Sequence, residues 1–145
     1  MKSKFVSAFM DCADRFAQLS PAKRAKVGAI IVKDNRIISI GYNGMPSGWD
    51  NECEEEYLYE DGGTFFKTKP EVLHAETNAI AKVARSSESC ENAALFSTHL
   101  PCIDCAKLIY QSGIAEVYYR VEYDAAKGSG KEFLINSGVE VKKCE

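Results

Sequence analysis

Two β-branched runs, "VGAIIV" and "RIISIG", flank the tripeptide "KDN", and the chain downstream alternates helix with strand. A connection that short between apolar runs forces an antiparallel hairpin. Further along, "HAETNAIAKVARS" has the composition of a helix and "AALFST" that of a strand. "CIDCAKLIYQSG" reads as a helix closed by Gly113, "AEVYYR" as a strand, "GKEFLINSG" as a short helix again closed by glycine, and "VEVKK" as a final strand. A hairpin followed by this alternation implies an α/β chain: a partly parallel sheet with helices on both faces. Ahead of the hairpin, "SKFVSAFMDCADRFAQLS" spaces Phe5, Ala8, Phe9, Cys12, Phe16 and Leu19 by threes and fours. That spacing predicts an amphipathic helix ending before Pro21.

Between the hairpin and the helix after Leu73 lies a glycine-bearing stretch of mixed charge, "YNGMPSGWDNECEEEYLYEDGGTFFKTKP", read as one long loop. A loop of that length in a small domain usually serves function or motion. The 145 residues, 46% hydrophobic, suit a single domain over 1–145. No apolar run is long enough to span a membrane, and the N-terminal stretch carries acidic residues where a signal peptide needs an unbroken apolar segment. A soluble, cytoplasmic protein is expected. Six cysteines at 12, 53, 90, 102, 105 and 144 are spaced too irregularly for a disulfide framework, and point to thiols or metal ligands. A net charge of −3 argues against a phosphate-tracking nucleic-acid surface, while leaving room for one small anionic ligand.

The chemistry concentrates in two short segments. In "LPCIDCAK", Cys102 and Cys105 stand three apart, so with Pro101 opening the helix both sulfurs can face one atom. Alone, the pair is equally a metal or redox site or two inert thiols. Upstream, "LHAETNAI" supplies His74 and Glu76, again at a helix start. H-x-E followed by P-C-x-x-C is the pattern of zinc deaminases, and five positions in two segments agree with it. His74 and two thiolates make three zinc ligands, and a catalytic site leaves its fourth position to water. Zinc lowers the pKa of that water toward about 7. Residues two apart on a helix diverge by about 200°, so His74 and Glu76 can share the site only by straddling the helix start. Glu76 then serves as a proton shuttle beside the metal. A structural zinc with Cys53 or Cys90 as fourth ligand is the competing reading, and it leaves Glu76 without a role.

Together "KVGAIIV", "GYNGMPSG", "HAETNAI", "PCIDCAKLIYQSGI" and "YDAAKGSGKEFLINSGVEV" resemble the deoxycytidylate (dCMP) deaminases, in order from about residue 26 to 141. The resemblance implies a three-layer α/β/α sandwich with a mixed five-stranded sheet, and zinc on His74, Cys102 and Cys105 with Glu76 as acid and base. It implies deamination of dCMP to dUMP and ammonia. Asn43 would reach the deoxyribose, and the Ala75 main chain and the segment before Pro101, including Thr98, would line the base pocket. Lys26 and Tyr123 would lie near the phosphate; for Tyr123, an ordinary strand-end aromatic is the alternative. The family is typically hexameric, activated by dCTP and inhibited by dTTP with Mg²⁺. An effector site would then involve Gly41, Tyr42, Asn43, Gly44 and Gly48, whose glycines also let backbone amides approach phosphates. The alternative is a plain turn closing the hairpin.

Some relatives carry a second zinc on cysteines near the first helix and a histidine in the insertion. Here "SPAKRAK" and the missing histidine predict none. Trp49, the single tryptophan, either stacks on an effector base or covers the loop. Arg85 is either a neighbour-facing or a solvated helix-end residue. Two further readings compete with the dCMP enzyme: a zinc deaminase of another nucleoside, base or flipped RNA base, and a nucleotide-binding zinc module that does no chemistry.

Overall fold

The computed structural model describes residues 1–123, 125 and 128–145. Parts of the quoted "YDAAKGSG" stretch, Asp124, Ala126 and Lys127, lie outside the described residues. The chain opens with α1 (Ser3–Ala17) and then forms the hairpin β1 (Gly28–Lys33) and β2 (Arg36–Tyr42). Asp34 and Asn35 both have positive φ, as the favoured two-residue hairpin turn demands. The stretch read as a loop contains a second hairpin, β3 (Glu54–Leu58) and β4 (Thr64–Thr68), forming its own two-stranded sheet. No buried apolar stripe marks these strands, since nearly every residue on both faces is exposed. That is why no alternation flags them.

From there the expected alternation holds: α2 (Ala75–Ala84), β5 (Ala94–His99), α3 (Ile103–Gln111), β6 (Glu116–Val121), α4 (Lys131–Asn136) and β7 (Glu140–Lys143). Gly113 and Gly138, both at positive φ, follow α3 and α4 as the glycine stops require. Pro101 does not open α3. Cys102 is the N-cap, with ψ 169°, and the proline stands one residue earlier.

The main sheet runs β2-β1-β5-β6-β7, antiparallel at β1/β2 and β1/β5 and parallel at β5/β6 and β6/β7. Successive residues of β1 serve opposite faces. Ile30 and Val32 pack with Met10, Ala13, Phe96 and Tyr118 under α1, while Ala29 and Ile31 join Ala79, Val83, Leu95 and Ile109 under the other helices. A strand covered on both sides reads as an unbroken apolar run. The result is the three-layer α/β/α sandwich with a mixed five-stranded sheet. Arg120 on β6 pairs with Asp11 and Asp14 of α1, and its Nε donates to the Glu145 carbonyl. Among the described residues no helix is long and apolar enough to cross a membrane.

Candidate active site

Strand direction decides which segments meet. Parallel β5 and β6 end at His99 and Val121, which are paired, and lead into Leu100–Cys102 and Tyr123. Because β1 is antiparallel to β5, the residues before β1 lie at that same end of the sheet, and antiparallel β2 delivers Asn43 there. Open α/β sheets bind ligands outside the carboxyl ends of their parallel strands. A cavity of about 320 Å³ lies at this end, walled by residues that include Arg24, Asn43, Cys53, His74, Ala75, Glu76, His99, Cys102 and Tyr123.

Two helix starts supply its chemistry. His74 is the N-cap of α2, its ψ of 151° breaking the helical direction, and Glu76 follows inside the first turn. The pair therefore straddles the helix start and faces one site. Cys102 caps α3 and Cys105 sits in that helix's first turn. His74 Nδ1 is 3.2 Å from Cys105 Sγ and 3.6 Å from Cys102 Sγ. Tetrahedral zinc with bonds of about 2.1 and 2.3 Å sets such ligand atoms roughly 3.5–3.8 Å apart. The donor set fits zinc in both chemistry and spacing. Among the described residues this cluster consists of His74, Cys102 and Cys105; Cys53 lines the cavity yet stands outside it. Positive helix ends favour the thiolate charge.

The two thiols interact directly. A hydrogen bond from Cys105 holds Cys102 well below the usual thiol range, and the same bond, together with burial, holds Cys105 far above it. Glu76 is only 4% exposed, and burial pushes its carboxyl above the ordinary range. A buried carboxyl beside a candidate metal site, raised by desolvation, suits proton transfer.

The remaining residues divide. Ala75 is fully buried in the cavity wall, and Tyr123 lines it at 45% exposure. Asn43 lines it too, but its side chain is engaged: Oδ1 accepts from Val27 N at 2.8 Å and Nδ2 donates to Ala25 O at 2.8 Å. Thr98 is buried behind the wall, its Oγ1 accepting from Gly28 N. Lys26 is exposed and does not line the cavity; Arg24, two residues earlier, does. Arg24 and His99 carry no sequence signal beyond the basic run "KRAK" and a place just ahead of "PC".

A second cavity of about 270 Å³ is lined by Pro21, Tyr42, Gly44, Gly48, Trp49 and Leu73, among others. Asn43 faces the first cavity instead. Gly41 serves neither: a Cβ there would lie 2.3 Å from Ala75 O and 2.7 Å from Ala79 N, so its hydrogen lets α2 pack on β2. Chain neighbours line the two cavities: Pro21 and Ala22, Tyr42, Gly44 and the Asn43 between them, and Leu73 and His74. Gly44 and Leu73 bind each other through both backbone groups, at 3.2 and 2.8 Å. Arg85 is exposed at the C-cap of α2.

Residues 3–121 match the family described as the cytidine and deoxycytidylate deaminase zinc-binding region. The chain is 35% identical to the deoxycytidylate deaminase of Enterobacteria phage T4, over 93% of this chain and 87% of that one. It is 37% identical to the deoxycytidylate deaminase of Homo sapiens, over 93% and 76%. Among solved structures, the dCMP deaminase of cyanophage S-TIM5 in complex with dCMP and dUMP superposes with a TM-score of 0.87 at 48% identity, covering 99% of each chain.

Proposed function

Given that the chain belongs to the cytidine and deoxycytidylate deaminase family and is a zinc-dependent hydrolase, we propose that it deaminates dCMP to dUMP and ammonia. The carrying observation is the convergence of His74, Cys102 and Cys105 with buried Glu76 in one nucleotide-sized cavity. The S-TIM5 protein crystallised with dCMP and dUMP supports the choice of substrate.

His74, Cys102 and Cys105 would hold the zinc, which when bound would supply an acidified water at neutral pH. Glu76 takes a proton from the attacking water, gives it to N3 of the cytosine ring, and later assists protonation of the departing amine. Its burial keeps solvent from competing for that proton. The Ala75 backbone lines the base site. Asn43 spends one hydrogen and one lone pair on residues 25–27, keeping a second N–H for the deoxyribose. The clamp also holds the Arg24–Val27 segment against the cavity.

The same reading takes residues 1–145 as one domain that works in the cytoplasm as a homohexamer. Six unpaired cysteines support a reducing setting. dCTP as activator and dTTP as inhibitor, each with Mg²⁺, would occupy the second cavity at Tyr42, Gly44 and Gly48. Support comes from the shared backbone, since Leu73 and Gly44 on one side adjoin His74 and Asn43 on the other.

The test is an absorbance assay of zinc-loaded protein with dCMP and deoxycytidine, each with and without dCTP and Mg²⁺. Expected are turnover of dCMP in preference to deoxycytidine, and a sigmoidal dCMP curve that dCTP makes hyperbolic. Turnover of neither substrate overturns the dCMP reading. Kinetics indifferent to both triphosphates remove the effector claim alone.

A further inference from the structure

Building on the dCMP reading, we propose that His99 is a specificity-determining residue. Thr98 fixes it as the Nε2–H form, and it donates a hydrogen bond to the 5′-phosphate of the nucleotide.

The argument starts at the end of β5. Leu100 N donates to Val121 O at 2.9 Å, which draws the exit of β5 against that of β6 and sets His99 beside Tyr123. The two rings meet edge to face, 6.3 Å apart at 87°, and both line the zinc cavity. Behind the imidazole, Thr98 Oγ1 is 2.9 Å from His99 Nδ1 and accepts the Gly28 N–H at 3.2 Å. Thr98 is 2% exposed, so its hydroxyl hydrogen needs a protein acceptor. Among the described residues His99 Nδ1 is the acceptor at hand. A hydroxyl that donates to Nδ1 leaves the proton on Nε2.

That N–H has no partner among the described residues, and it belongs to a half-buried ring in the cavity wall. Burial also disfavours the imidazolium, so the ring presents a neutral donor at working pH. A donor so fixed awaits an oxygen. The zinc end of the cavity, at His74, Glu76 and Cys102, takes the base. Among the described wall residues Arg24 is the single Arg or Lys, and Tyr123 stands half-exposed nearer solvent. One cation does not satisfy a phosphoryl group with three terminal oxygens. Neutral donors from the His99–Tyr123 pair complete the set, and His99 is the one whose donor form the fold enforces.

The experiment compares zinc-loaded wild type with His99→Phe and His99→Gln. Phenylalanine keeps a ring against Tyr123 and deletes the donor; glutamine restores a neutral N–H at similar reach. Expected for His99→Phe is a KM for dCMP raised roughly 10- to 100-fold, with kcat changed far less. Inhibition by inorganic phosphate weakens in parallel, and zinc content stays at wild type. His99→Gln recovers most of the loss. An unchanged KM, a raised KM with unaltered phosphate inhibition, or a glutamine variant no better than phenylalanine overturns the assignment while the dCMP reading stands. Wild type that ignores dCMP overturns both.

Discussion

Replacing Gly41 by alanine tests whether that glycine serves the helix or an effector. The new Cβ would stand 2.3 Å from the Ala75 carbonyl oxygen and 2.7 Å from Ala79 N, both backbone atoms of α2. Ordinary contact begins near 3.4 Å, so the helix start must retreat from β2 by about 1 Å. Ala75 lies between His74 and Glu76, hence the retreat carries the proposed zinc ligand and proton shuttle with it. Overpacking of this kind costs about 1–3 kcal/mol, or roughly 3–10 °C in Tm for a chain of this size. A misplacement of about 1 Å at a reacting centre costs on the order of 100-fold in rate. Steady-state turnover of dCMP, thermal melting and zinc content, measured together, should therefore all fall. Wild-type Tm and turnover combined with loss of the dCTP response would refute the packing argument and return Gly41 to an effector's approach.

Glu76→Gln should lower kcat by about 10²–10⁴-fold while zinc remains at one per chain; activity within tenfold of wild type would remove the carboxylate from the proton path. Trp49 is the single tryptophan, 56% exposed in the wall of the second cavity. Saturating dCTP with Mg²⁺ should change its fluorescence, and an unaltered spectrum despite kinetic activation would place the effector elsewhere. Burial holds the folded-state pKa of His99 below its unfolded value of about 6.5. The unfolded chain therefore binds the extra proton first, and this contribution to stability is present above about pH 6.5 and is lost as pH falls through the folded pKa. Melts of zinc-loaded protein from pH 8 to 5 should show wild type losing Tm faster than His99→Gln; parallel curves would contradict the buried neutral imidazole.

Much of this was legible in the chain. β1 and β5 announce themselves because a strand covered on both faces reads as an unbroken apolar run, and the glycines after α3 and α4 are required where φ turns positive. The cluster was legible too, since spacings of two in "HAE" and three in "PCIDC", each at a helix start, restrict where four side chains can point. β3 and β4 were not, because an exposed ribbon has no buried stripe to read. Neither was the role of Gly41, which depends on a helix thirty-four residues downstream crossing its strand.

By itself, then, the sequence determined which residues, His74, Glu76, Cys102 and Cys105, could carry the proposed chemistry, and the order of helices and strands, all matters of residue type and local spacing. Only the tertiary structure decided that Arg24 rather than Lys26 reaches the cavity, that Asn43 clamps its own wall, and that Tyr42 and Asn43, neighbours in the chain, face different cavities. It also placed Thr98 behind His99, which sets the proton on that ring. Those outcomes follow from strand direction and from which hydrogen bonds burial leaves open, and neither is a property of any short stretch of chain.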